Sequence, residues 1–423
     1  MQLWLIPIMY AVASVVGGFT LPRLEARYFP YSFDLSISSA QAYLSAVASG
    51  MMALTGIVFS IAFILVQFNA IVYSPRLVVW LARDRTLFHA LGVFVSTFMY
   101  SLSTLAWVDR AGTGRVPLVS CVFVGMMVVT SVLLLSLLVQ RLNSFQITQV
   151  LRIIGDTGRE VIAQSYQGTR ATSGLSEERP SLPITLTVNH VGRPSIVTSL
   201  DIRRLINQAC QSGGRIVVAC AVGDTLIEGT RMLRVYGGKA NISERQLRAS
   251  IRVADERTFE QDPKYPMRLL VDIAIKALSP AINDPTTAVQ AIDQIEDLLR
   301  RLAKCDLETC EAVDPDGIVR VIYQVPSWND YLTLAFDEIR QYGSTSIQVM
   351  RRLRAALTEL ARSVDSDRAE RVNAYLQHLD SNIDRSNFDP MDRASARVED
   401  RQGLGISRRS EDGGRAPAAV RQF

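Results

Sequence analysis

Between positions 257 and 287 the chain gathers side chains of the types that hold ions or small ligands: Arg257, Asp262, Asp272, Lys276, Asn283, Asp284, Thr286 and Thr287. The end of this stretch reads KALSPAINDPTTA, with Asn283-Asp284 set between Pro280 and Pro285. Two kinds of binding chemistry fit. A helix that starts after Asp284 presents free N–H groups, to which Thr286 and Thr287 add hydroxyls and Lys276 and Arg257 add positive charge. Such a corner suits an anion, although Asp284 opposes it. Alternatively Asp262, Asp272, Asn283 and Asp284 supply the oxygen donors that a hard cation prefers. A third reading is structural. Pro280 pushes Ser279 out of helical geometry and stops the helix before it. Asp284 is a good N-cap and Pro285 suits the first helical position, so a new helix starts there and runs to about Ala303. The stretch is then a stop, a corner and a restart. The sequence leaves all three readings open.

The elements that must position these residues follow from periodicity. MRLLVDIAIKAL (267–278) is apolar except for Arg268, Asp272 and Lys276 at i, i+4 and i+8, a single polar stripe on a buried helix. At roughly 18 Å it is too short to cross a bilayer, so it is expected to be the core helix of a polar domain. Upstream, ITLTVNH (184–190) alternates as a strand does, and PSIVTSLD is a second candidate. Asp201 caps a short helix over 201–210. Residues 213–238 read as further strands broken by Gly223-Asp224 and Gly229. Within them VGDTLIEGTRMLRV is similar to the hairpin of biotinyl/lipoyl-type barrels. That likeness implies a compact β module and not a carrier, because no Met-Lys-Met-like tip is present. Ser243 starts another helix, GIVRVIYQV (317–325) is a strand, and 329–382 holds two or three amphipathic helices rich in arginine.

Four runs before residue 140 are long and apolar enough to span a membrane: Leu3–Leu21, Tyr43–Val66, Leu87–Val108 and Val116–Val139, none with Asp, Glu, Lys or Arg. The first lacks the basic n-region of a signal peptide, so it reads as a retained span. Arg76, Arg83 and Arg85 lie in one loop and Arg141, Arg152 and Arg159 after the fourth span, against Arg23, Arg27, Arg110 and Arg115 on the other side. The bias places both termini in the cytoplasm. The second span carries small residues such as Ser49 and Gly56, with Phe59, Phe63 and Gln67 at i, i+4 and i+8. The third carries His89, Gly92, Ser96, Tyr100 and Ser103 at helical spacing. The bland reading is interhelical packing and hydrogen bonding. The sharper one is a water-filled path in an oligomer, lined by Ser49, Gly56, Phe59, Phe63, Gln67, Ser96 and Tyr100, with the phenylalanines as a dewetting constriction. No carboxylate lies inside the spans, which speaks against a proton-coupled pump.

The resulting plan is mainly α: a four-span transmembrane domain (1–142), a helical extension and linker (143–182), a small β-rich module (183–240), a helical domain carrying the Ile-Asn-Asp-Pro corner (241–384) and a disordered tail (385–423). The polar half is thus a cytoplasmic α+β domain. Five scattered cysteines form no disulfide framework and suit a reducing compartment. Three distant histidines make no His-rich metal site, and a net charge of +4 gives no argument for nucleic acid.

The stretches SGMMALTGIVFSI with SPRL, ERTFEQD (256–262) and LLVDIAIKALSPAINDPTTA (269–288) together resemble a family of predicted bacterial multi-pass membrane proteins classed as a domain of unknown function. The resemblance covers roughly 1–380. It rests on Arg257, Thr258, Gln261 and Asp262, then Asp272, Ile273 and Ala274, then Ala277 to Pro280, Ile282 to Pro285, Thr287 and Ala288, with Ala281 where glycine is usual. It implies a four-span inner-membrane protein with a cytoplasmic domain and no established activity.

Function is expected to be that of a homo-oligomeric channel-like or transport protein, with the cytoplasmic half as gate or sensor. The alternative is a membrane-anchored sensor or scaffold that binds a small ion, ligand or protein partner through the 257–288 region. The chain carries no Gly-Lys-Ser/Thr phosphate loop, His-Glu-x-x-His, Gly-x-Ser-x-Gly or Cys-x-x-Cys, so it is not read as an enzyme, and no motif specifies a cofactor. The expected partners are the lipid bilayer and further copies of the chain.

Overall fold

Length and apolarity turn the first part of the chain into four helices: α1 (Leu5–Tyr28), α2 (Ile37–Val72), α3 (Arg85–Leu105) and α4 (Leu118–Asn143). Each contains a segment able to cross a membrane. The computed structural model describes residues 4–28, 36–72, 85–109, 116–143, 146–166, 182–238, 243–307 and 310–405. These fall into two compact units, Met1–Gln146 and Ile147–Phe423. Arg76, Arg83, Arg110 and Arg115, which carry much of the orientation reading, and nearly all of the 168–182 linker lie outside the described residues.

In the first unit α3 is the central helix and packs on α1, α2 and α4. Small residues set the α1–α3 spacing. A Cβ on Gly18 would stand 2.5 Å from the Cβ of Ser103, and one on Gly92 would stand 2.8 Å from the Tyr10 ring. The polar face of α3 turns inward, where Thr97 Oγ1 and Ser131 Oγ of α4 lie 3.2 Å apart. Helix α1 overruns the apolar segment through Pro22 to Tyr28. This carries Glu25 into a buried position at the start of α4. Its carboxylate accepts from the backbone N–H groups of Val119 (2.7 Å) and Ser120 (3.1 Å) and from Ser120 Oγ (3.1 Å). It satisfies helix-end donors that have no partner inside α4. The uncharged apolar run Leu3–Leu21 is thus continued in α1 by a further helical segment that carries a carboxylate.

The second unit combines strands and helices. Its strands are β1 (Ile184–Asn189), β2 (Ser195–Leu200), β3 (Arg215–Val218), β4 (Thr225–Leu226), β5 (Arg231–Tyr236), β6 (Ile251–Ala254), β7 (Cys310–Val313) and β8 (Val319–Tyr323). They form a five-stranded sheet, β1-β5-β3-β8-β7, and a three-stranded one, β4-β2-β6. Strand β8 pairs in parallel with β3 inside the larger sheet. The β-rich module therefore does not close within 183–240. Strands β4 and β5 belong to different sheets, so VGDTLIEGTRMLRV is not the two-stranded hairpin its spacing suggested.

The helices are α5 (Ile147–Tyr166), α6 (Ile202–Ser212), α7 (Glu244–Arg248), α8 (Lys264–Ala277), α9 (Pro285–Leu302), α10 (Trp328–Tyr342), α11 (Ile347–Ser363), α12 (Ser366–Arg385) and α13 (Pro390–Ala396). Helix α8 is the core helix and packs on α5, α9 and α10. The run read as a continuation of the fourth span is the separate helix α5. It lies close on α9 through Gly158, where a Cβ would stand 2.9 Å from the methyls of Leu298. The tail read as disordered from 385 is ordered through 405: Asp389 caps α13, and Asp400 is fully buried.

Candidate functional site

The 276–290 corner is built from its own hydrogen bonds. Ser279 Oγ donates to Lys276 O (2.7 Å), and the N–H groups of Ile282 and Asn283 donate to Ser279 O at 3.0 and 2.9 Å. Asn283 takes a left-handed backbone, φ 49°, which asparagine tolerates better than most residues. Asp284 N–H returns to Ala277 O (2.8 Å). The Asp284 carboxylate then accepts from Thr287 N–H (3.1 Å) and Thr287 Oγ1 (2.6 Å). Both Thr287 donors that the anion reading relied on are thus engaged inside the corner, and Arg257 is engaged away from it, on Asp262 and Gly223 O. Thr286 and Asn283 are exposed and Thr287 is buried.

Asp272 lies in an ion pair with Arg268 (2.6 Å), which also reaches Glu338 of α10 (2.7 Å). The polar stripe of α8, on which Lys276 also sits, is therefore a docking seam for α10. Among the described residues no three His, Cys, Asp or Glu side chains stand close enough to share a metal ion. Asp262, Asp272 and Asp284 are not one cluster.

Arg257 and Asp262 do meet. Asp262 is 2% exposed. Its Oδ2 accepts from Arg257 Nη1 (3.2 Å), its Oδ1 from Lys264 N–H (3.1 Å), and Arg257 Nη2 donates to Gly223 O (2.7 Å). Burial raises the Asp262 carboxyl above the usual aspartate range, against the lowering pull of Lys264 and Arg257. Gly223, at φ +89°, leaves room for the pair: a Cβ there would stand 2.6 Å from Asp262 Oδ2.

Beside this pair lies a cavity of about 260 Å³, walled by the end of α5, the β2–α6 junction at Leu200 and Ile202, the turn after β3, residues 260–264 and the end of β8 with the segment after it. Tyr166 and Tyr323 face it, with Lys264 and Gln324. Tyr166 and the fully buried Tyr331 share a hydroxyl–hydroxyl hydrogen bond of 2.9 Å. Burial pushes the phenols of Tyr166, Tyr323 and Tyr331 well above their ordinary value, so they stay protonated at neutral pH. Of the cavity residues the sequence reading singled out Asp262 as a ligand candidate. Lys264 stands two residues beyond it, and the tyrosines carry no local signal because they come from distant segments.

The residues read as pore-lining divide. Ser49, Gly56, Phe59, Phe63 and Gln67 lie on the exposed side of α2, where a Cβ on Gly56 would meet nothing within 4 Å. Ser96 and Tyr100 are buried inside the first unit, 6% and 2% exposed. They line the interior of the helix bundle and not the surface that α2 presents.

Comparison with known proteins agrees with the four apolar helices. The chain is 26% identical over 408 residues to an uncharacterized protein of Mycobacterium tuberculosis (strain ATCC 25618 / H37Rv), Rv1290c, covering 92% of this chain and 78% of the relative. The uncharacterized protein Mb1321c of Mycobacterium bovis (strain ATCC BAA-935 / AF2122/97) matches to the same extent. No solved structure matches. The family model described as "Predicted membrane protein (DUF2254)" matches residues 1–359. With four helices able to span a membrane and most of its length matched, the chain belongs to this family of predicted membrane proteins.

Proposed function

We propose that the chain is a membrane-anchored receptor. Its four spans hold it in the bacterial inner membrane with both termini in the cytoplasm, and its polar unit binds a small ligand in the cavity beside Asp262. The observation that carries this reading is the cavity. Five segments distant in sequence build it, and the ion pair of the buried Asp262 with Arg257, packed against Gly223, stiffens one side of it. Its wall mixes apolar side chains such as Leu200, Val222 and Val325 with convergent polar ones such as Tyr166, Lys264 and Gln324, and convergent polar groups are what orient a ligand in a pocket. A thermal-shift screen of small polar metabolites against the purified full chain tests it, beside Ala221→Trp, which fills the cavity. A shift in the native chain that the variant loses supports the reading. Equal shifts in both chains, or none with any compound, reject it.

A second reading is favoured by the exposed side of α2. There Ser49, Gly56 and Ser60 form a small-residue face, and such faces let membrane helices approach closely. A homo-oligomer joined along α2 would bring Phe59, Phe63 and Gln67 of several copies around one axis as a channel. Ion flux through the protein in liposomes, altered in a Phe63→Ala/Gln67→Ala variant, is the expected result. Silence from intact oligomers rejects it.

A further inference from the structure

We infer that the cavity beside Asp262 takes a small organic anion: one carboxylate or phosphate carried on a compact, partly apolar body, with Lys264 as its counter-charge. The inference rests on the receptor reading and names the ligand class of that site. Two acidic side chains line the cavity, and both are compensated. Asp262 is paired with Arg257 at 3.2 Å, and Glu260 with Arg252 at 3.2 Å. The nearby Asp224 turns its carboxylate to the backbone N–H of Ala221 (2.8 Å). Lys264 is the remaining charged group of the lining. Its ammonium acts on Asp262 through space, and no direct ion pair holds it among the described residues. Counted with the ion-pair partners Arg257 and Arg252, the lining carries one positive charge in excess, that of Lys264, with the Asp224 carboxylate nearby. The rest is apolar surface, such as Leu200, Val222 and Val325, with tyrosine and glutamine side chains between.

The start of α8 adds little to this charge. The N–H of Lys264 goes to Asp262 Oδ1 and that of Tyr265 to Asp262 O, each at 3.1 Å, and Pro266 has none. Anion recognition here depends on the Lys264 side chain, so one substitution decides it. Size sets the second limit: about 260 Å³ lies just below the common range for ligand pockets, about 300–1,000 Å³. A single ring with one anionic group fits such a space.

The test is calorimetric titration of the purified full chain with benzoate and phenyl phosphate. Benzyl alcohol, benzylamine and inorganic phosphate serve as partial or wrongly charged probes. Saturable binding of benzoate or phenyl phosphate is expected, weaker by about tenfold or more for benzyl alcohol and for phosphate alone. Lys264→Gln should lose that binding while keeping the native melting temperature, and Lys264→Arg should restore it. Which of the two anions binds more tightly separates a carboxylate from a phosphate ligand. Anion binding unchanged in Lys264→Gln, or benzylamine binding in place of the anions, overturns the ligand class and leaves the cavity reading standing. No binding of any probe also overturns the class, and the cavity reading then stands or falls by the Ala221→Trp comparison alone.

Discussion

The carboxylate of Asp284 accepts two hydrogen bonds from one residue, Thr287: one from its backbone N–H at 3.1 Å and one from its hydroxyl at 2.6 Å. This closed pair starts α9, with Pro285 at the first helical position and Asn283 turning the chain just before it. The most punctuated stretch of the sequence is thus a joint between two core helices. The cavity proposed as a binding site lies elsewhere, beside Asp262.

Asp284→Ala is expected to destabilise the protein by about 1–2 kcal/mol, the usual cost of removing an N-cap acceptor. Asp284→Asn should recover most of that loss, since asparagine caps as well. Asp284 does not line the cavity, so ligand binding there should be unchanged in both variants. Denaturant melts and titrations on the same preparations check the two halves. A loss of binding without a loss of stability would return the corner to the list of sites.

Gly223 and Gly229 separate strain from crowding. Both have φ between +80° and +90°, +89° and +84°, but a Cβ on Gly223 would collide with Asp262 Oδ2 at 2.6 Å while one on Gly229 meets nothing within 4 Å. Gly229→Ala should cost about 1 kcal/mol from backbone strain alone. Gly223→Ala should cost about 2–4 kcal/mol, because it also displaces the buried Asp262 from Arg257. Parallel unfolding curves give the difference, and equal losses would mean that the ion pair shifts without penalty.

How much of this was legible in the sequence depends on where each signal lay. The four spans and the α8–α9 joint rest on local chemistry: apolar runs of sufficient length, and Pro280, Asp284 and Pro285 in order. Both were readable. Glu25 was not, because its partners are Val119 and Ser120, nearly a hundred positions on. Helical spacing put Ser96 and Tyr100 on one face of α3 but could not say whether that face meets α1 or water. Strand β8 looked like an isolated strand because one neighbour, β3, lies about a hundred residues earlier and the other, β7, is only the four residues CEAV. The cavity was hidden for the same reason: its wall runs from Gln164 to Pro326, and only folding brings those segments together.

The pH dependence of the α5–α9 contact follows from Asp297. Burial alone would raise its carboxyl, but hydrogen bonds and charge from Arg159 and Arg301 outweigh burial and hold it below 3.8. A lowered folded value means a contribution present above the unfolded value and lost as pH falls through the folded one. Both partners are partly exposed, 24% for Arg159 and 41% for Asp297, so the contribution is screened to about 0.5–1 kcal/mol. Asp297→Asn should lower stability by that amount at pH 7 and by progressively less below pH 3.8. The gap should also narrow in about 1 M salt. A gap that widens in acid would contradict the sign.

Two membrane glycines should behave in opposite ways. Gly92 faces Tyr10 at a distance that leaves no room for a Cβ, whereas Gly56 faces open space. Gly92→Leu should prise α1 from α3 and lower the melting temperature in detergent, by analogy with overpacked cores at about 1–3 kcal/mol. Gly56→Leu should leave the melting temperature of the single chain unchanged. If α2 joins copies of the chain, the same variant should reduce the oligomer measured by light scattering. An unchanged oligomer would remove α2 from the interface.

The chain between 386 and 405 is expected to be part of the fold. Asp400 is fully buried, and its carboxylate accepts from the N–H groups of Gln402 (3.0 Å), Gly403 (2.9 Å) and Gly405 (2.6 Å). Helix α11 answers from the other side, with Gln348 donating to Gly403 O (2.5 Å) and Arg351 to Gly405 O (3.0 Å). Gly403, at φ +68°, presses on α9: a Cβ there would stand 2.3 Å from Val289 Cγ1. Truncation after Arg385 should therefore uncover Val289 and the α11 face and destabilise the protein by about 2–4 kcal/mol, the range for losing a buried hydrogen-bonded charge together with packing. Gly403→Val should reproduce much of that loss with the chain at full length. A truncated chain that melts at the native temperature would restore the reading of 385–405 as a solvated tail.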